Sequence, residues 1–287
     1  MRRMVYLVGL CSTLTMVARA ATDRLMLNAD RHSPFDLEIT GLLKDETEAV
    51  YVSQADLAVL PSTEVALTGE FGSGDTPLAL TVVWLADLWA ALPVQSSADT
   101  LLARCKDGYF SVYQQGQFAE LKPFLVVKIN GQGPEKWPPA GVRYNPGPHV
   151  ILVSSKVAPA VADLLDAGHK KPWGVTSIEV ARFADSFQPA FTGKWTKLSA
   201  AGELGRDIWI NSCASCHVGP EQMSGGTKSA RPFEVVAAHA RYNRDYFERY
   251  VRDPQSTMPG AKMEAHPHYN DEQMAALVAF ITADGAP

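Results

Sequence analysis

The decapeptide NSCASCHVGP, residues 211–220, holds two cysteines three apart and a histidine directly after the second. Three chemistries use such a pattern. A redox dithiol opens a helix after a strand in a βαβ setting, whereas Cys213 and Cys216 close a helical run, GELGRDIWINSCASCH. A structural zinc site takes four Cys or His ligands in paired spacings, and the chain has no second pair. C-x-x-C-H in an exported chain is the attachment signal for haem. Two thiols on one turn can each add to a haem vinyl group. The next residue, His217, then lies under the ring and offers its Nε2 to the iron. The pattern predicts one covalent haem c, attached through Cys213 and Cys216 and ligated by His217.

The haem reading depends on export, and export is read at the N-terminus, MRRMVYLVGLCSTLTMVARA. Arg2 and Arg3 give a positive start, Met4 to Val17 an apolar stretch, and Ala18 and Ala20 a small-residue cleavage site. Residues 1–20 are therefore expected to be a cleaved signal peptide, and the mature chain periplasmic. The stretch is too short to span a bilayer, and Leu10 occupies the position that needs a small residue if Cys11 were to carry lipid. The later run LALTVVWLADLWAAL contains Asp87 and reads as core, so no membrane span is expected in the mature chain. Removing Arg2, Arg3 and Arg19 takes the formal charge from −5 to −8. An acidic exported chain is a poor partner for nucleic acid or anionic lipid. With 46% apolar and 20% charged residues, the composition is that of a folded globular protein. The 287 residues suffice for two domains. Cleavage removes Cys11, and pairing of Cys213 with Cys216 in haem attachment leaves Cys105 alone, so the cysteines do not form a disulfide framework. Cys105 reads as a buried apolar thiol.

Two textures divide the chain. Residues 21–186 read as mixed α/β, with strand-like runs AVYV, EVALTGEF, TLLARC, YFSVY, FLVVKIN, HVILVS and VTSIEVARF, and helical runs VVWLADLWAAL and APAVADLLDA. The Pro/Gly-rich stretch 130–148 reads as a surface excursion between strands. Residues 187–201 read as a linker. Residues 202–287 turn helical. In NDEQMAALVAFITAD, Asn270 can cap the helix with Gln273 reaching back to it, and Met274, Leu277, Val278 and Ile281 fall on one inward face.

A sixth iron ligand is sought in PQSTMPGAKMEA, from Pro254. Trp209 stands four residues before the first cysteine of the haem motif, and Gly205 four before that. The run Pro254, Pro259, Gly260, Lys262, Met263 has the spacing P-x4-P-G-x-K-M. On these residues the region 202–284 resembles a class I cytochrome c. The resemblance implies an all-α fold, Met263 as axial thioether, and Phe280 packed by the N-terminal glycine. Met258 is the runner-up, since M-P after a proline also resembles the Met loop of some bacterial cytochromes. His239, His266 and His268 read as surface residues, and His149 and His169 have no spacing that marks a site. His/Met ligation raises the potential of the iron and suits electron transfer.

In the N-terminal part, TVVWLADLWAAL, TLLARCKDGYFSVY, PFLVVKINGQ, NPGPHVILV and PWGVTSIEV resemble, in order, part of the sulfite-oxidase-type molybdopterin fold. That family binds molybdenum through one cysteine on a strand well before the turn at Trp84. The matching run here, EVALTGEF, has none. The resemblance implies a relative without molybdopterin that acts as a docking or binding module. The chain is thus expected to be an electron-transfer protein serving a periplasmic dehydrogenase or reductase, rather than a catalyst in its own right. The alternatives are a haem-fused molybdenum oxidoreductase such as a sulfite dehydrogenase, with Cys105 as metal ligand, and a haem sensor in which a small ligand displaces Met263.

Overall fold

A computed structural model describes residues 25–44 and 49–283. The expected signal peptide, with Cys11, lies outside them. Among the described residues no helix is long and apolar enough to cross a membrane.

The N-terminal region is sheet-rich and the C-terminal region helical. The strands are β1 (Leu37–Gly41), β2 (Ala49–Val52), β3 (Ser62–Leu67), β4 (Leu78–Trp84), β5 (Thr100–Cys105), β6 (Phe110–Gln114), β7 (Phe124–Ile129), β8 (His149–Leu152) and β9 (Trp173–Ala181). They join in one sheet along the path β2-β1-β9-β8-β7-β4-β3, and β5 pairs with both β9 and β6. The β1–β9 pairing is parallel and the others described are antiparallel.

Strand β5 explains how the two regions join. Successive side chains of a strand point to opposite faces, yet TLLARC is apolar on both. Leu101, Ala103 and Cys105 enter the main core of the sheet with Val127, Ile178 and Val180. Leu102 enters a second core on the other side, with Phe110 and Val112 of β6. That second core also holds Ile208, Trp209, Phe233, Phe247, Met274 and Phe280 of the helical region. The sheet and the helices therefore share one apolar core.

The longer helices are α1 (Leu85–Ala91), α2 (Ala200–Asn211), α3 (Phe233–Tyr242), α4 (Arg244–Arg252) and α5 (Asp271–Ile281). The expected capping box of α5 is present: Gln273 N–H donates to Asn270 Oδ1 at 2.9 Å, and Asn270 N–H donates to Gln273 Oε1 at 2.9 Å. Met274, Leu277, Val278 and Ile281 are all buried, as the periodicity predicts. α2 crosses α5 at Gly205, where a Cβ would fall onto the carbonyl oxygen of Ala276. Phe280 lies one turn further on and packs against Trp209, ring centroids 6.3 Å apart.

Several expectations are corrected. Val82, Val83 and Trp84 belong to β4 rather than to a helix, and α1 begins at Leu85. Residues 158–167 form short 3-10 turns instead of a helix. Neither β1 nor α3 was anticipated. The stretch 187–201 is not a solvated linker: Phe187, Ala190 and Trp195 are buried in the shared core, and Trp195 Nε1 donates to Phe280 O at 3.3 Å. The excursion 130–148 is anchored by buried Trp137 and Val142 in a third core, under β4, β7 and β8.

The Gly205 crossing makes a stability prediction. Adding one methyl in Gly205→Ala should force α2 and α5 apart and cost about 3 kcal/mol. Urea unfolding followed by far-UV circular dichroism checks this, and an unchanged midpoint would contradict it.

Candidate haem-binding site

Helix α2 delivers the two-cysteine motif. Ser199 caps it, its Oγ accepting from Gly202 N–H at 3.2 Å. The helix stops at Asn211 and a 3-10 turn over Cys213–Ser215 follows. Cys216 N–H and His217 N–H both donate to Cys213 O, at 3.1 and 2.9 Å. This folds both cysteines and the histidine onto one turn. Cys213 and Cys216 are half-buried free thiols, and burial pushes both up from the ordinary thiol range.

His217 stands against Trp209, ring centroids 5.9 Å apart. Burial, with Arg231 and His266 nearby, lowers its pKa to about 4, so the imidazole is neutral near pH 7 and has a lone pair to give. Among the described residues, His217 Nδ1 and Trp209 Nε1 are buried without a protein hydrogen-bond partner. Buried polar atoms are rarely left so. Beside them a cleft is lined by Gly219, Ser229, Arg231 and Phe233, among others. Two thiols and a neutral imidazole gathered on one turn, with the cleft beginning at the next residue, Val218, fit the haem group that the motif calls for.

The two methionines are placed differently. Met263 is half-buried and packs against the shared core. Met258 is 39% exposed. The loop between them turns at Gly260, with φ +84°, a backbone conformation glycine adopts without cost. Gln255 Nε2 donates to Met263 O at 3.0 Å and fixes the loop's end. Gln255 was not anticipated, since nothing in its spacing marks it.

The sheet region covers this site. Thr227 N–H donates to Gly108 O at 2.7 Å, and Ser229 N–H to Cys216 O at 2.9 Å. Lys228 Nζ pairs with Asp107 Oδ2 at 2.8 Å. A Cβ on Gly226 would strike Ser215 O and come within 2.8 Å of Gly108 O. Lys170 is buried, and its Nζ donates to Val112 O at 2.6 Å and to Asn211 Oδ1 at 3.3 Å. The turn at Asp107–Tyr109 is thus seated on the chain that follows His217.

Among the histidines expected at the surface, His266 departs from the sequence reading. His239 is exposed, as expected. His149, His169 and His266 are buried, 1%, 6% and 5% exposed. His169 and His266 meet across the two regions, ring centroids 5.5 Å apart, with Asp166 between them and His268. Burial by itself would raise the Asp166 carboxyl, but hydrogen bonds from His266, Tyr269 and His268 bring it down to about 2. Cys105 is buried, and its thiol is pushed up to about 12 by burial and by Asp107.

Residues 200–281 match the family model of cytochrome c oxidase, cbb3-type, subunit III. Cytochrome c oxidase subunit 2 of Alkalihalophilus pseudofirmus is 35% identical over 86 residues, covering 27% of this chain and 24% of that protein. The chain thus spans about a quarter of that curated relative. The family match falls on the helical region and supports a cytochrome c domain there. A cytochrome c domain implies haem c and haem-based electron transfer.

If the haem is held covalently by both thiols, the double variant Cys213→Ser/Cys216→Ser should lose all haem staining on a denaturing gel, while Cys105→Ser keeps it. Staining that survives the double variant would show attachment elsewhere.

Proposed function

We propose that the chain is an exported, periplasmic c-type cytochrome that passes single electrons through one covalent haem. The observation that carries this reading is the turn that gathers Cys213, Cys216 and neutral His217 beside unsatisfied Trp209 Nε1. Cys213 and Cys216 would form the thioethers, His217 would ligate one face of the iron, and Met263 the other. When bound, the haem supplies an iron that takes up and returns one electron. The protein's part is to hold both ligands and to keep water away. Trp209, Phe233 and Phe280 form the apolar wall that does so, with Trp209 and Phe233 ring centroids 5.0 Å apart.

The sheet region, in this proposal, is a sulfite-oxidase-like fold without molybdenum. It docks the cytochrome domain to a redox partner. The placement of Cys105 supports that role, since its side chain is buried in the apolar core of the sheet. The partner would be a periplasmic dehydrogenase or reductase. The names of the two matches add a terminal oxidase as a class to test.

The axial assignment is tested by substitution. Met263→Ala should lower the reduction potential by more than about 59 mV, a tenfold change for one electron, and alter the reduced spectrum. Met258→Ala should leave both unchanged. The opposite outcome would make Met258 the ligand, and no change in either variant would remove methionine from the site.

A further inference from the structure

Where the sheet region meets the cytochrome domain, three buried donors converge from distant parts of the chain. Asp166 and His169 come from the turn before β9, and His266 from the segment after Met263. One ligand atom from each lies within 4.8 Å of the others. Their side chains are only 8%, 7% and 6% exposed. We propose that Asp166, His169 and His266 bind one divalent transition-metal ion of the zinc and copper(II) class, across the interface of the two regions.

The donor set selects that class. Two imidazoles and a carboxylate suit zinc or copper(II), whereas magnesium and calcium take oxygen donors. Bonds of roughly 2.0–2.2 Å in a tetrahedral site require the three donors to close in modestly from where they stand. Two further groups stand ready to complete the shell. His268 Nε2 is 3.0 Å from Asp166 Oδ1, and Glu264 Oε2 is 3.8 Å from His169 Nε2.

The surroundings resemble the outer partners that orient metal ligands. Tyr109 Oη is 2.9 Å from His169 Nδ1, which leaves Nε2 as the free donor. Tyr269 Oη donates to Asp166 Oδ2 at 2.7 Å, which leaves Oδ1 facing the histidines. Tyr269 also stacks on His266, centroids 5.1 Å apart and planes 3° from parallel. Tyrosine hydroxyls thus hold His169 and Asp166 on their far sides, and a tyrosine ring packs on the face of His266. An ion there would tie the Asp166–Lys170 turn to the Met263 loop and fix the sheet region over the haem-binding turn.

The test is zinc binding by the full chain as purified, after chelator treatment. Isothermal titration with Zn2+ should show one site per chain. Asp166→Asn and His169→Gln should each weaken it at least tenfold, and Tyr109→Phe, which only orients His169, about tenfold. His239→Gln, on the exposed face of α3, should bind as the parent does. Zinc-edge X-ray absorption should show imidazole and oxygen neighbours and no sulfur. Zinc should raise the thermal unfolding midpoint of the parent and not of Asp166→Asn. No stoichiometric zinc uptake by the parent would overturn the proposal, leaving a hydrogen-bonded network at the interface. So would a sulfur shell, or uptake unchanged in Asp166→Asn and His169→Gln. Should those two fail to fold, the parent titration and Tyr109→Phe decide alone.

Discussion

The structure depends on the seating of one tight turn, Asp107–Gly108–Tyr109, against the segment that follows His217. Gly108 and Gly226 bring two backbones closer than any side chain would allow. The Thr227–Gly108 hydrogen bond and the Lys228–Asp107 pair then fix the register of the contact. The ion pair is half-exposed and contributes little by itself. The backbone bond and the apolar surface behind it matter more. Leu102, Phe110 and Val112, on the strands that flank that turn, are buried in the core they share with the helices of the cytochrome domain.

From this constraint the rest of the site follows. The helical region cannot swing freely, because Phe187, Ala190 and Trp195 enter the shared core on the way from sheet to helix. The haem-binding turn therefore meets the sheet region in one arrangement. The same docking carries Asp166 and His169 to His266 and Tyr269. A cytochrome c domain alone would leave that face to solvent. Here it is roofed by a polar, buried cluster whose members come from both regions.

The haem motif was legible because its chemistry is local. Two thiols and an imidazole within five residues must share a turn whatever the fold around them. The cap of α5 was legible for the same reason, since Asn270 and Gln273 satisfy each other's backbone groups. Elements defined by distant partners were not. Val82, Val83 and Trp84 lie in a strand with close neighbours on both sides, and such a strand lacks the alternation that separates it from a buried helix. The segment 187–201 has the lysines, glycine and proline of a linker, but its aromatic residues are what anchor it. The meeting of His169 with His266 rests wholly on tertiary packing, and no spacing along the chain announces it. Met263 stood out from Met258 by its loop pattern alone, and Met263 is the one that packs against the core.

What separates an electron carrier from an enzyme is whether the haem is the redox centre on its own. The sheet region places Cys105 at the end of β5, facing the apolar core, where burial raises its thiol. The most direct test is elemental analysis of iron and molybdenum together, on protein purified from a periplasm able to mature both cofactors. One iron per chain and no molybdenum is the result this account predicts. Molybdenum equimolar with iron would contradict it, and would make the sheet region a catalytic domain with sulfite as the first substrate to try.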